Sequence, residues 1–248
     1  MSGPITRIDA VAADLYRIST AMPPGLVPGG FTFNQYLLVD EAPLLVHTGP
    51  RALFRGVSAA IETVLSLDRL RYVGFCHFEA DECGALNGFL DAAPSAEVLC
   101  SQVGAMTSVG DLARRPPRAL ADGETVALGQ RVIRWIDAPH VPHGWDNGFL
   151  FEETRRILFC GDLFTQGGSD HPPLADDILE SSEVMRSGMD YFAHGANTRP
   201  LLEQLATLQP RLLACMHGSA FAGDGARLLR QLADALAAPG QGTGLPGP

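Results

Sequence analysis

His77, Glu79 and Asp81 stand at alternate positions of the stretch HFEADEC, directly after the apolar run RYVGFC. An extended or gently coiled segment turns every second side chain to one side, so one imidazole and two carboxylates can face a common centre or pair. Nitrogen and oxygen donors so combined are the chemistry of a metal site. Hard oxygen donors mixed with imidazole suit iron or manganese, whereas thiolates and all-histidine sets lean to zinc or copper. Three further runs end in ligand types: RWIDAP stops near His140 and His143, RILFCG at Asp162, and LLACM at His217. In α/β sheets the carboxyl ends of strands face the ligand crevice, so residues far apart in sequence can converge there. Three histidines and three carboxylates are enough for two metal ions. Asp162, alone after a buried strand, is placed to bridge two cations, whose charge would offset the cost of burying its own.

The elements that must position these residues follow from β-branched and aromatic content. Strands are expected at Gln35–Val39, Leu44–His47, Leu70–Cys76, Glu97–Cys100, Val132–Asp137, Gly148–Phe151, Ile157–Cys160 and Leu212–Met216. Helices are expected at Leu53–Leu65, Glu82–Ala92, Val103–Ala113, Thr198–Leu208 and Gly225–Ala238, the last with Leu228, Leu229, Leu232 and Leu236 on one face. Strands and helices alternate, with hairpin-like interruptions, which implies mixed sheets covered by helices. Two Gly- and Pro-rich stretches, Thr20–Asn34 and Gln166–Asp177, read as long loops bordering a site.

At 248 residues and 46% apolar content the chain can bury one large core, and one globular unit over residues 1–238 is expected, with a disordered tail at 239–248. A formal net charge of -10 argues against nucleic acid or an anionic membrane as partner. The N-terminus lacks a signal-peptide pattern and no apolar run approaches a membrane span, so a cytoplasmic location is expected. Five cysteines without CxxC spacing read as free thiols. Cys76, Cys160 and Cys215 read as small core residues, while Cys83 follows the ligand motif, where a cation would lower its pKa. His47, His171 and His194 read as ordinary strand-end or loop residues. Phe149 reads as core, and Tyr36, Phe78 and Trp145 as either core or pocket lining.

The ordered series HFEAD, PHGWD, FCGD and MHG, with FTFNQYLLVD and HTGPR near the start, resembles the ligand series of the metallo-β-lactamase superfamily. Glutamate stands where HxHxD has its second histidine, which marks the flavodiiron branch and the shorter oxygen-binding diiron proteins. The resemblance implies a four-layer αββα sandwich with two mixed β-sheets and a non-haem site of two iron ions, with zinc or manganese as alternatives. His77, Glu79, His143 and Asp162 would hold one iron, and Asp81, Asp162 and His217 the other. His143 is preferred to His140 because the family places a ligand histidine three residues before an aspartate. His140 is then an outer partner orienting a ligand carboxylate. Glu82 stands where the family's HxExDH motif has a histidine, and is either a ligand or such an outer partner.

The resemblance implies binding of dioxygen or nitric oxide, with reduction or sensing as the outcome. Flavodiiron proteins append a flavodoxin domain, whereas this chain ends soon after the last ligand, so an external electron-donor protein is expected, together with a homodimer. The alternative is hydrolysis by a paired-metal hydroxide, the superfamily's commonest activity, against which Glu79 in place of histidine argues. A non-enzymatic gas or redox sensor is the third reading.

Overall fold

Two seven-stranded sheets pack face to face in the computed structural model of the chain, which describes residues 3–237. The first sheet runs in chain order: β1 (Ile5–Ala12), β2 (Leu15–Met22), β3 (Phe31–Leu38), β4 (Leu44–Val46), β5 (Tyr72–Gly74), β6 (Glu97–Ser101) and β7 (Arg118–Leu120). Its first four strands pair antiparallel and β4 to β7 pair parallel. The second sheet holds β8 (Thr125–Ala127), β9 (Val132–Asp137), β10 (Gly148–Glu152), β11 (Ile157–Phe159), β12 (Leu174–Ala175), β13 (Leu212–Ala214) and β14 (Ala220–Ala222). Their spatial order is β12-β14-β13-β11-β10-β9-β8, with β11 and β13, and β12 and β14, parallel. Both sheets are therefore mixed, as expected from the interrupted alternation.

Alternation along each strand divides the apolar residues between two cores. Leu37, Leu45, Val73 and Val98 face the helices α1 (Phe54–Glu62) and α3 (Leu86–Ala92), which contribute Val57, Ile61, Leu86, Phe89 and Leu90. Their neighbours Tyr36, Leu38, Leu44, Val46 and Leu99 face the second sheet and meet Ile133, Trp135, Leu150 and Phe159. The far side of that sheet buries Phe149, Leu158 and Leu213 under α7 (Thr198–Thr207) and α8 (Gly225–Ala237). Each such side chain contributes roughly 1.5–3 kcal/mol when fully buried, and Leu228, Leu229 and Leu232 supply it at helical spacing, with Leu236 packed beside them. The result is helices, sheet, sheet, helices: the expected sandwich.

Several expectations need correction. β1 and β2 were not expected, because Arg7, Asp9, Arg17 and Ser19 interrupt the apolar residues of their inward face. The irregular part of Thr20–Asn34 is only 23–30, since β2 runs to Met22 and β3 begins at Phe31. The helix expected at Glu82–Ala92 is two pieces, α2 (Ala80–Cys83) and α3. That at Val103–Ala113 is α4 (Gln102–Gly104), a π turn (Ala105–Val109) and α5 (Gly110–Leu112). A further helix, α6 (Leu179–Gly188), lies just beyond the second loop; only Ser182 of it is fully buried, so it carried little apolar periodicity. No helix of the described residues is long and apolar enough to cross a membrane. The tail expected at 239–248 lies outside the described residues.

Candidate metal centre

His77 emerges three residues beyond β5, and its position is fixed by the carboxylate of Glu82. One oxygen of that group accepts from the backbone N–H of Cys76 (2.7 Å) and of His77 (2.9 Å), and the other lies 3.0 Å from His77 Nδ1. Glu79 keeps extended geometry at the residue just before α2, its side chain free of any capping bond. Asp81 sits within the turn of α2, not on a continued extended segment, so the helical step swings it away from His77 and towards His217. The second sheet supplies the remaining three: His143 from the connection between β9 and β10, Asp162 from the turn after β11, and His217 from the turn after β13.

Two of the three imidazoles are hydrogen-bonded from behind to a backbone carbonyl, and His77 has the Glu82 carboxylate 3.0 Å behind its Nδ1. Nδ1 of His143 bonds the carbonyl of Tyr191 at 2.8 Å, and Nδ1 of His217 bonds the carbonyl of Thr32 at 2.7 Å. With Glu82 behind His77, every Nε2 is left to point at carboxylates, the arrangement that fixes tautomer and ring orientation in metal-binding histidines. Nε2 of His77 lies 3.4 Å from Glu79 Oε1 and 3.6 Å from Asp162 Oδ2, and has no hydrogen-bond partner although buried. Nε2 of His143 lies 3.3 Å and 3.2 Å from the same two oxygens. Nε2 of His217 instead meets the other oxygen of Asp162, Oδ1, at 3.1 Å, and Asp81 Oδ2 at 3.6 Å.

The carboxylate of Asp162 thus divides its oxygens between two donor groups. Donors about 2.1 Å from one ion lie roughly 3.0 Å apart when mutually perpendicular and about 4.2 Å apart when opposed. The separations here fall within that span. Ligand atoms of His77, Glu79, His143 and Asp162 all lie within 4.8 Å of one another. His47, Cys76 and Glu82 also cluster within 4.8 Å, and burial pushes the Cys76 thiol well up, so it is protonated in the metal-free chain.

Electrostatics follow this packing. Burial opposes charge on His77, yet Glu82 and then Glu79 outweigh it and push its pKa up to about 12. Hydrogen bonding to Asp162 and Glu79 raises His143 to about 10. The imidazoles of His143 and His77 beside it bring Glu79 down to about 2. Burial would raise Asp162, but His143 and His217 hold it well below the carboxylate range. Asp81 goes the other way: burial, with Asp162, Glu82 and Glu79 adding to it against the pull of His217, lifts it to about 6. An excess of carboxylate charge is thus compensated by protons on the imidazoles, which a cation can replace.

The residues singled out in the sequence divide clearly. His77, Glu79, Asp81, His143, Asp162 and His217 come together. His140 does not: it is exposed, in a left-handed backbone conformation (φ 65°), and its side chain makes no hydrogen bond to the cluster. The outer contacts expected of it fall to Glu82, Tyr191 and Thr32. Glu82 lies on the Nδ1 side of His77, facing His47 at 3.6 Å, away from the Nε2 that meets Glu79 and Asp162. His47 is accordingly buried in this network. Cys83 is buried and its thiol pushed up by burial and nearby carboxylates. Trp145 is 58% exposed, whereas Tyr36 is buried and donates to the Cys215 carbonyl.

Sequence reasoning missed the clamp on the His217 turn. Asn34 donates to the carbonyls of Cys215 (2.9 Å) and Gly218 (2.8 Å), and the Gly218 N–H donates to Thr32 Oγ1 (2.7 Å). Gly218 has φ 87°, and a Cβ there would meet Gln166 at 2.5 Å, so only glycine fits. The signal was present in FTFNQY: Thr32, Asn34 and Tyr36 form a polar stripe at strand period.

A family model described as ODP family beta lactamase matches residues 31–218. The chain is 27% identical over 208 residues to a rubredoxin-oxygen oxidoreductase of Megalodesulfovibrio gigas, covering 80% of this chain and 51% of that one. It is 28% identical over 225 residues to a nitric oxide reductase of Moorella thermoacetica, covering 86% and 55%. It spans about half the length of these curated relatives. Among solved structures, a metal-soaked Flv1 flavodiiron core from Synechocystis sp. matches with a TM-score of 0.81 at 20% identity, covering 95% of this chain and 61% of that chain. At that identity the likeness carries the fold.

Proposed function

The chain belongs to the ODP beta-lactamase family, and from that premise we propose that it is a non-haem diiron protein that binds dioxygen or nitric oxide, with electrons for any reduction supplied by a separate donor protein. The observation that carries this reading is the division of Asp162, with Oδ2 among His77, Glu79 and His143, and Oδ1 beside His217 and Asp81. The oxygen-rich donor set, with no cysteine in it, suits iron. Two relatives named for oxygen and nitric oxide reduction point to the same ligands.

Iron at both positions would supply one-electron chemistry and open coordination for a diatomic ligand. The residues of the chain define where that ligand enters. Glu79 and His143 are 47% and 26% exposed, while His77 and His217 are sealed at 2% and 3%. Asp81 is 26% exposed as well, so access is from the side on which Glu79, His143 and Asp81 reach the surface. Phe31 lies against His217, with ring centroids 4.3 Å apart, and shields that imidazole with an apolar face. The donor group at Asp81 and His217 has fewer protein donors than its neighbour, which favours it as the position left open.

Metal analysis of anaerobically purified protein, followed by optical spectra on adding oxygen or nitric oxide, tests the proposal. Iron near two per chain with a gas-dependent band is expected. Zinc with ester or β-lactam turnover would overturn it in favour of hydrolysis. Oxygen consumption with a reduced donor protein then distinguishes sustained reduction from a stoichiometric sensing response.

A further inference from the structure

β1 and β2 depart from the way the rest of the space between the sheets is filled. Elsewhere that space holds Tyr36, Leu38, Val46, Trp135 and Phe159. In register, Arg17 lies opposite Asp9 on one side and Tyr36 on the other, and Ser19 lies opposite Arg7 and Asn34. These residues share the inward face, while Ile8, Tyr16 and Ile18 turn to the helices. Beyond Val11 and Leu15, which still pack in the core between the sheets, this face turns polar at Arg7, Asp9, Arg17 and Ser19. It borders a cavity of about 490 Å³, closed opposite by Ser169–Pro173. The Gly168 N–H donates to the Gly30 carbonyl at 3.0 Å and ties this rim to the loop before β3.

Arg17 is the residue that the fold alone does not explain. It is 1% exposed, and Nη2 donates to the Gly218 carbonyl at 2.7 Å. Its Nε has no partner, and no carboxylate oxygen among the described residues lies within the 4.0 Å of an ion pair, although Asp9 is directly across the ladder. A buried guanidinium without a counter-ion is costly, and burial pulls its pKa down. Arg7, Ser19, Thr32, Ser169 and His171 line the same cavity, and so do Asp9 and Asp170.

We propose that this cavity binds a small organic monocarboxylate carrying a hydroxyl or ammonium group, with its carboxylate on Arg17 and Arg7 and its second polar group on Asp9 or Asp170. The Arg7 guanidinium can take a planar carboxylate through paired N–H donors, Arg17, with Nη2 on the Gly218 carbonyl, adds positive charge at the cavity wall, and the volume is that of a small-molecule site. The two lining carboxylates repel a phosphate dianion, so one negative charge is the match. The site is separate from the donor groups above but shares their scaffold, since Arg17 and Thr32 both hold the turn that carries His217. It does not depend on which metal they hold.

Calorimetric titration of the metal-loaded protein with lactate, with serine and with inorganic phosphate is the test. Saturable binding of lactate or serine, tighter than phosphate, is expected, with about tenfold or greater weakening in Arg17→Gln. Because Arg17 is internal, two rim variants accompany it. Arg7→Gln removes the second cation and Ser169→Phe fills the mouth, and both should weaken binding while leaving metal content unchanged. The proposal is overturned if neither carboxylate binds saturably, if phosphate binds more tightly, or if carboxylate binding is undiminished in Ser169→Phe, which would assign it to the metals.

Discussion

Because Asp162 gives one oxygen to each donor group, while Asp81 touches only His217, their substitutions should differ in kind. Asp162→Asn is expected to lower metal content from two ions per chain towards none, and Asp81→Ala towards one, read by elemental analysis; two ions retained in Asp162→Asn would end the bridging assignment. Glu82→Gln keeps shape but removes the charge facing His77 and His47, and should destabilise the fold by about 3 kcal/mol in denaturant titration. An unchanged midpoint would mean that Glu82 is not ionised. These roles were unequally legible. The strand ends pointed to the region of each clustered residue, and the family resemblance chose His143 over His140, but Glu82 could not be assigned, since its direction depends on α2 beginning between Glu79 and Asp81.

The pH response belongs to the same residues. In the metal-free chain His143, raised to about 10, stabilises the fold fully below its ordinary pKa of about 6.5 and loses that contribution as pH rises through about 10. Glu79, depressed to about 2, contributes above about 4.5 and loses it as pH falls through about 2. Asp81, lifted to about 6, works against the fold once it ionises. Melting of the metal-free protein should therefore fall between pH 6.5 and 10. Over the same interval metal uptake should strengthen, because fewer protons compete for the imidazoles. A flat metal-free profile across that range would contradict this.

At the scale of elements, the turn carrying His217 depends on β3. Asn34→Ala removes one of the two side-chain donors to each of the Cys215 and Gly218 carbonyls, which keep Tyr36 and Arg17, at a cost of about 1 kcal/mol. Metal titration should show weaker binding at the His217 group and unchanged binding at the His77 group; equal loss at both would mean that the clamp is global. Strands ending in ligands were readable as apolar runs of strand length. β1 and β2 were not, because Arg7, Asp9, Arg17 and Ser19 take the inward positions where hydrophobic side chains would have announced a buried strand. The short strands β7, β8, β12 and β14 are two or three residues long and owe their existence to pairing rather than to local preference.

For the whole molecule, the donor groups join the two sheets: His77, Glu79 and Asp81 come from the first, and His143, Asp162 and His217 from the second. Ions bound there stabilise the folded state by mass action, about 2.7 kcal/mol at a hundredfold excess over the dissociation constant. Chelation should accordingly lower the melting temperature by about 5–10 °C. No shift would show that the ions do not couple the halves.

The sequential layout of the sheets also bears on biosynthesis. Residues through Leu120 complete the first sheet, and the second is made only afterwards. A nascent chain leaving the ribosome presents its HFEAD donors long before His217 exists, and N-terminal structure forms first during synthesis. On the proposed reading the group around His77 is complete once Asp162 has emerged, whereas the group around Asp81 awaits His217, so the two positions would become available in that order.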